Sequence, residues 1–250
     1  MDPRRTADTK RSGLVVRLPR HTLTAEAIGR RIVGGSLKPG AVLPNADLLA
    51  REFKVSRPAL REAIKLLAGK GLLEMAPRRG TVVRPRAQWN RLDDDVLNWE
   101  RGEAPTESFI RNLFELRRMI EPEAAALAAT RATPEGIEAI GRALSGMGEA
   151  NFTSVDSIRA DLDFHSAILT HSGNDFLATF APAIETSMKV TFSIQRRLAD
   201  DSKRFLHEHA LVFYAIRDRD PNASRAASLA LLSPAEGDAL AGLFGTPDRP

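Results

Sequence analysis

The sequence predicts an N-terminal α+β domain followed by an all-α helical bundle, and three observations support this prediction. Residues 1–91 carry 20 lysines and arginines against 7 acidic residues, whereas residues 92–250 carry 16 against 25. Three short helix signals and then two strand signals occur in the first segment, and only helical periodicity follows it. An ordinary solvated surface rarely gives such a charge difference, so the two segments are expected to have separate tasks, the basic one towards a polyanion.

The composition limits the class of protein. The chain has 250 residues, of which 43% are hydrophobic, and this suits one large domain or two ordinary ones. No apolar run approaches the roughly 18 to 20 residues that cross a bilayer, and the basic N-terminus lacks the apolar stretch of a secretion signal. Cysteine is absent, which excludes disulfides and thiolate metal sites. A cytoplasmic protein without a membrane partner is expected.

The elements of the first segment follow one another in the order of a winged helix-turn-helix. A helix is predicted over residues 24–33, and Asn45 can cap a second helix. After a short turn, Ser56 can cap a third helix, where Pro58 is tolerated because its missing N–H has no partner in the first turn. Two strands, LLEM and TVV, flank the turn PRRG. The predicted fold is therefore a winged helix-turn-helix over residues 20–86.

The third helix, which begins SRPALREAIK, has the features of a DNA-recognition helix. Its apolar residues fall on one stripe, and its basic residues lie on a neighbouring face. The N-terminal residues of such a helix lie nearest the base edges, where the guanidinium groups of Arg57 and Arg61 can match the two acceptors of guanine. A basic face that only improves solubility is the alternative. The predicted DNA-binding residues, including phosphate contacts and the hairpin tip, are Lys54, Ser56, Arg57, Arg61, Arg78, Arg79 and Gly80.

The second segment shows apolar residues at helical spacing and no convincing alternating strand. Helices are predicted at residues 106–130, 134–149, 155–172, 175–199, 203–219 and 222–231. The predicted organisation of the whole chain is a disordered basic arm at 1–19, the winged helix-turn-helix at 20–86, a linker at 87–95, an all-helical domain at 96–232 and a flexible tail at 233–250.

A candidate metal site lies in the helical domain. Asp161 and His165 are four residues apart within an apolar stripe that is expected to point inward, and His209 lies on a similar stripe. Burying a lone carboxylate is costly, so Asp161 needs a cation, a donor or a metal. Ligands of this kind suit zinc, nickel or manganese, with water in the open positions. A hydrogen-bonded Asp–His network without a metal is the alternative.

An arginine on a core-facing stripe is the candidate effector-binding residue. Arg117 shares its stripe with apolar residues, so its guanidinium is expected to face the interior and to meet an anion there. The carboxylate of a small ligand would suit its planar fork. An internal ion pair with a core Glu or Asp is the alternative. Arg196, on the predicted long helix at 175–199, is a second candidate for the same cavity.

Two sets of residues carry a resemblance to a known family. In the first domain the matching residues are GSLKPGAVLP, LLAREFKVSRPALREAIKLLAGKGLLE and RRGTVV. In the second they are ELRRMIEPEAAALAA at 115–129, DLDFHSAILTHSGN at 161–174 and EHALVFYAIRDRD at 208–220. The first set resembles the winged-helix domain of the GntR superfamily of bacterial transcription regulators. The second resembles the helical effector domain, called FCD, of the FadR-like group in that superfamily.

The resemblance implies roles for residues of the helical domain. In metal-binding FCD domains the matching positions hold a metal, which assigns Asp161, His165 and His209 as ligands. A fourth histidine usually comes from the last helix, and the matching position here is Leu231, so any metal would be held by three protein ligands. The resemblance also implies that Arg117 binds the carboxylate of an effector.

The expected function is that of a ligand-responsive transcription regulator, with repression the expected sign although activators exist in this group. A homodimer would read a palindromic operator. The segment PRAQWNRLDDDVLNW at 85–99 is similar to the junction of a family member that controls a sugar-acid operon, so an aldonate-like sugar acid is the expected effector. One departure concerns DNA: the second DNA-binding helix usually begins Glu-Arg in the family, and here these positions are Ala46 and Asp47.

Two other classes of function stay open at this point. A metal-dependent hydrolase could use Asp161, His165 and His209 as its centre, although no general base, nucleophile or phosphate-binding loop is assigned to it. A constitutive architectural DNA-binding protein would leave the inward-facing polar residues without a task.

Overall fold

The computed structural model describes residues 18–102, 105–150, 154–195 and 202–245. Contacts between its elements divide the chain into two compact units. Of the described residues, the first unit contains 18–32 together with Leu37–Trp89, and the second contains Val33–Ser36 and those from Asn90 onward.

The first unit is a winged helix-turn-helix, as predicted. It contains α1 (Arg20–Val33), α2 (Ala46–Glu52), α3 (Arg57–Gly69), β1 (Leu73–Ala76) and β2 (Gly80–Val83). The side chain of Asn45 accepts a hydrogen bond from the backbone of α2, and that of Ser56 does the same for α3, so both predicted caps are present. The two strands are antiparallel, with Leu73 opposite Val83 and Ala76 opposite Gly80. This hairpin is the wing.

All the regular secondary structure of the second unit is helical in the part of the chain that the structure describes. It contains α4 (Asp94–Arg101), α5 (Glu107–Arg131), α6 (Pro134–Glu149), α7 (Val155–Thr170), α8 (Asp175–Ala178), α9 (Ala181–Gln195), α10 (Ser202–Arg217) and α11 (Pro221–Phe244). Its main apolar core includes Phe164, Ile140 and Ile216, which are almost completely buried. The inner faces of α5, α7 and α10 all contribute to this core, so polar side chains on these faces are held away from water. No helix among the described residues is long and apolar enough to cross a membrane.

The predicted flexible tail at 233–250 is wrong for most of its length, because α11 continues to Phe244. Pro234 and Gly237 suggested the end of the helix, since proline removes a backbone donor from a helix interior. Packing offsets this loss: Ala239 is completely buried in a second apolar cluster with Phe109 and Ile110 of α5. Residues 246–250 lie outside the described residues.

Other predicted boundaries also differ from the structure. The expected linker at 87–95 overlaps the start of α4, where the side chain of Asp93 accepts hydrogen bonds from the backbone of Asp95 and Val96. The helix expected at 175–199 is divided into α8 and α9, since Pro182 cannot donate to the preceding turn and a new helix begins beside it. Most of the predicted arm at 1–19 lies outside the described residues.

Candidate functional site

The recognition helix presents its basic residues to solvent. The residues Leu60, Ala63 and Leu67 of α3 are buried in the first unit, whereas Arg57 and Arg61 at its N-terminal end are exposed. Packing therefore fixes the rotation of α3 so that both guanidinium groups lie on its outer face. This is the geometry that a helix inserted into the major groove requires.

The turn and the wing place further cations around α3. Lys54 is exposed and has a φ of 52°, and its carbonyl oxygen accepts a hydrogen bond of 3.0 Å from Nη1 of Arg20. At the hairpin tip, Arg78 has a φ of 64° and Gly80 a φ of 87°, a conformation that glycine adopts without strain. Arg78 and Arg79 are both exposed. All the predicted DNA-binding side chains are thus accessible, and their contacts with DNA stay a prediction.

The second unit contains a buried polar cluster built from α5, α7 and α10. We call the following side chains the polar cluster, and each is at most 6% exposed: Arg117, Glu121, Asp161, His165 and His209. One ligand atom each from Asp161, His165 and His209 lies within 4.8 Å of the others. The structure therefore brings together the three residues that the sequence selected as metal ligands.

The two histidines are held in the same way. Nδ1 of His209 lies 2.7 Å from the carbonyl oxygen of Phe205, which can only accept, so Nδ1 carries the hydrogen. Nδ1 of His165 lies 2.6 Å from Oε2 of Glu121, so the same nitrogen donates there. In both rings Nε2 is left facing Asp161, with the lone pair directed towards it when the imidazole is neutral.

The atoms around Asp161 are close without being hydrogen-bonded to each other. Nε2 of His209 lies 2.9 Å from Oδ1 of Asp161, and Nε2 of His165 lies 3.5 Å from the same oxygen. Despite the short distance, neither Oδ1 of Asp161 nor Nε2 of His209 has a hydrogen-bond partner of acceptable geometry within the described part of the chain. A neutral imidazole nitrogen and a carboxylate oxygen are both acceptors, so this arrangement favours a cation between them. The donor set therefore fits a divalent metal.

Arg117 has an internal partner. Its Nε pairs with Oε1 of Glu121, and its Nη2 lies 3.4 Å from Oε2. This is the internal ion pair that the sequence left open as the alternative to effector binding. Sequence reasoning did not select Glu121, although its spacing of four residues from Arg117 in ELRRMIEPEA is a helical ion-pair signal.

Burial and charge act against each other in the polar cluster. Burial alone would raise the pKa of Glu121, but the charges of Arg117 and His165 lower it to about 2. Burial alone would lower the pKa of His165, but the charge of Glu121 and the contacts with both carboxylates raise it to about 9. Burial alone would raise the pKa of Asp161, but the facing imidazoles of His209 and His165, when protonated, hold it well below its ordinary value. In the absence of a metal, His165 is therefore a cation between two carboxylates.

The space beside the polar cluster is small. A cavity of about 10 Å³, which holds about one water, is lined by Glu121, His165, Ser228 and Leu231 among others. Leu231, the residue at the position of the usual fourth histidine, is buried against this cavity. A sugar acid would have to displace side chains to enter. Arg196, the second predicted effector-binding residue, lies outside the described residues.

Comparison with known proteins identifies the same two segments. Residues 22–83 match the model of bacterial regulatory proteins of the gntR family, and residues 112–233 match that of the FCD domain. The chain is 35% identical over 208 residues to the galactonate operon transcriptional repressor of Escherichia coli K12, which covers 82% of this chain and 90% of the relative. It is 34% identical over 210 residues to the uncharacterized HTH-type transcriptional regulator YieP of the same strain, covering 83% and 90%. A solved structure of the Listeria monocytogenes protein Lar is 17% identical and matches 88% of this chain and 95% of that chain with a TM-score of 0.62, which shows a shared fold.

Proposed function

The chain belongs to the GntR family of bacterial regulatory proteins and carries an FCD domain, and from this premise we propose that it represses a sugar-acid operon and is released from its operator by a carboxylate effector. Family membership confirms the prediction of a ligand-responsive, DNA-binding transcription regulator. It gives no support to the metal-dependent hydrolase. The observation that carries the proposal is an exposed basic recognition helix in one unit and a buried polar cluster in the other.

The DNA partner is a palindromic operator read by a homodimer. Arg57 and Arg61 contact base edges from α3, while Lys54, the Ser56 cap and the wing tip contact phosphates. Two recognition helices about 34 to 36 Å apart would reach successive turns of one face of the duplex. The exposure of both arginines supports this assignment. Because a bacterial operator is part of the chromosomal DNA, the protein would act in the cytoplasm.

The effector is a small organic acid whose carboxylate binds Arg117. In the ligand-free protein Glu121 is the anion that the buried guanidinium of Arg117 requires. A planar carboxylate of the effector matches the same fork and would compete with Glu121 for it. A sugar acid is the preferred class because the similar E. coli protein is named a galactonate operon repressor. The ligand changes the affinity for DNA to the extent that it binds one arrangement of the dimer more tightly than another.

A divalent metal bound by Asp161, His165 and His209 is part of the proposed effector site. Zinc, nickel and manganese all accept this set of ligands, and the unpartnered atoms Oδ1 of Asp161 and Nε2 of His209 support it. When bound, the metal supplies open coordination positions for oxygen ligands. The residues of this chain hold it and exclude bulk water.

The proposal is tested in two steps with the full-length protein. DNA fragments from the neighbourhood of the gene are first screened for retardation at low ionic strength, and the bound fragment is footprinted. Thermal-shift measurements with D-galactonate, other aldonates and dicarboxylates, with and without EDTA, then identify acids that bind. We expect a palindromic footprint that one of these acids removes. A footprint that no acid affects would refute the proposal of a carboxylate effector. If no DNA fragment is retarded, the proposal that the protein regulates a neighbouring operon is refuted.

A further inference from the structure

Glu121 lies between the two parts of the polar cluster. One of its oxygens pairs with Nε of Arg117, and the other lies 2.6 Å from Nδ1 of His165. The carboxylate is 4% exposed, so its interactions are made within the protein and not with bulk water. The link joins the candidate effector-binding residue to a candidate metal ligand through a single side chain.

We propose that Glu121 is a positioning residue for the metal site: it fixes the ring of His165 so that Nε2 faces the metal, and Arg117 in turn holds Glu121 in place. The proposal rests on the metal site put forward above. It adds to that site a carboxylate that does not itself touch the metal.

The direction of the hydrogen bond between His165 and Glu121 determines which ring nitrogen is free. A carboxylate accepts from Nδ1–H of His165, which leaves Nε2 as the nitrogen that can bind a metal. The partner of His209 is the neutral carbonyl of Phe205 at 2.7 Å, so the two rings present the same nitrogen through partners of different charge. A negatively charged partner increases the basicity of the imidazole more than a neutral one does.

Both carboxylate oxygens of Glu121 are engaged within the protein. A buried carboxylate free to rotate would not fix a ring, but Arg117 holds both oxygens of Glu121: its Nε pairs with Oε1, and its Nη2 lies 3.4 Å from Oε2, the oxygen that faces His165. The three residues therefore form a chain in which the position of Arg117 determines that of Glu121 and then that of His165. An effector carboxylate that draws Arg117 away from Glu121 would alter the metal site, so the two ligands would be linked.

The test uses Co²⁺ as the only added ligand, because its absorption bands report the coordination geometry. Glu121→Gln keeps the shape and an acceptor for His165 but removes the charge. We expect its affinity for Co²⁺ to fall about 10-fold or more, with a changed absorption spectrum. Unchanged affinity together with an unchanged spectrum would overturn the proposal.

Matched variants separate this effect from general damage. Glu123→Gln removes a carboxylate two residues away on α5, which pairs with Arg225 on the surface, and it should leave Co²⁺ binding unaltered. If Glu121→Gln alone does not fold, the double variant Arg117→Met with Glu121→Gln replaces it, because it leaves no buried unpaired guanidinium. This double variant should also bind Co²⁺ less tightly than the unaltered protein. Asp161→Ala should abolish binding. If the unaltered protein binds no Co²⁺, both the metal site and this role of Glu121 are refuted. The proposal that the protein binds an operator does not depend on this result.

Discussion

Oδ1 of Asp47 lies 2.6 Å from Nε of Arg57, so an ion pair joins α2 to the first residue of the recognition helix. The side chains are 48% and 70% exposed, and such a pair contributes little to the stability of the fold. The pair engages Nε of Arg57, so its expected effect is to restrict the conformations of the guanidinium, with the two terminal nitrogens left for DNA. The resemblance to the GntR superfamily predicts an arginine at the position of Asp47, and we infer that here Asp47 supports Arg57 instead of contacting DNA itself.

Arg57→Ala is expected to weaken specific DNA binding by about 1–3 kcal/mol and to relax the base preference at one position of each half-site. Selection from a randomised duplex library by the full-length protein measures both effects. Asp47→Ala should keep the affinity but broaden the preference at that same position. Arg30→Ala, which breaks a surface pair with Glu26 on α1, is the control for loss of one positive charge. Equal base preferences in all four proteins would exclude the contact.

Arg117→Ala is expected to retain DNA binding and to lose the response to effector. Removing the guanidinium also leaves Glu121 as a buried carboxylate with one partner fewer, and breaking a buried pair costs about 3–5 kcal/mol. Urea unfolding measures that loss, and retardation of the operator with added effector measures the response. Arg118→Ala, at the adjacent and less buried arginine that pairs with Glu236, should respond normally. Release of the mutant from DNA at the usual effector concentration would count against Arg117.

The stability of the metal-free protein is expected to depend on pH in both directions. The pKa of Glu121 is lowered from 4.5 to about 2 on folding, so its contribution to the free energy of unfolding is present above about pH 4.5 and is lost as the pH falls towards 2. Asp161, whose pKa is also lowered, acts in the same direction. The pKa of His165 is raised from 6.5 to about 9 on folding. Its contribution to the free energy of unfolding is therefore complete below about pH 6.5 and is lost as the pH rises to 9.

Urea unfolding of EDTA-treated protein between pH 3 and 10 checks this dependence. The free energy of unfolding should be greatest between about pH 5 and 6.5. His165→Asn should reduce the loss on the alkaline side. A free energy of unfolding that stays constant from pH 6.5 to 9 in the unaltered protein would show that His165 is not the cation between the carboxylates.

Metal removal is expected to lower the melting temperature. A metal present at 100 times its dissociation constant stabilises the folded state by about 2.7 kcal/mol, and each kcal/mol corresponds to about 2–4 °C for a protein of this size. Treatment with EDTA should therefore lower the melting temperature by about 5–10 °C, and added Zn²⁺ should restore it. His207→Ala, at an α10 histidine outside the polar cluster, should behave as the unaltered protein does. The prediction fails if Asp161→Ala responds to EDTA and Zn²⁺ as strongly as the unaltered protein.

The sequence by itself determined the features that depend on neighbours along the chain. The caps at Asn45 and Ser56, the outward face of Arg57 and the inward face of Asp161 and His165 all follow from the period of a helix and from the hydrogen bonds of its first turn. These are local rules, so a single sequence is enough to apply them.

Only the tertiary structure decided which inward-facing groups meet. Arg117 and Glu121 are one helical turn apart, but His165 reaches Glu121 from another helix, and His209 reaches Asp161 from a third. The continuation of α11 beyond Pro234 likewise depends on its burial against α5, which offsets a local cost. Such contacts join residues far apart in sequence, and their energies depend on how the helices pack, which no local pattern encodes.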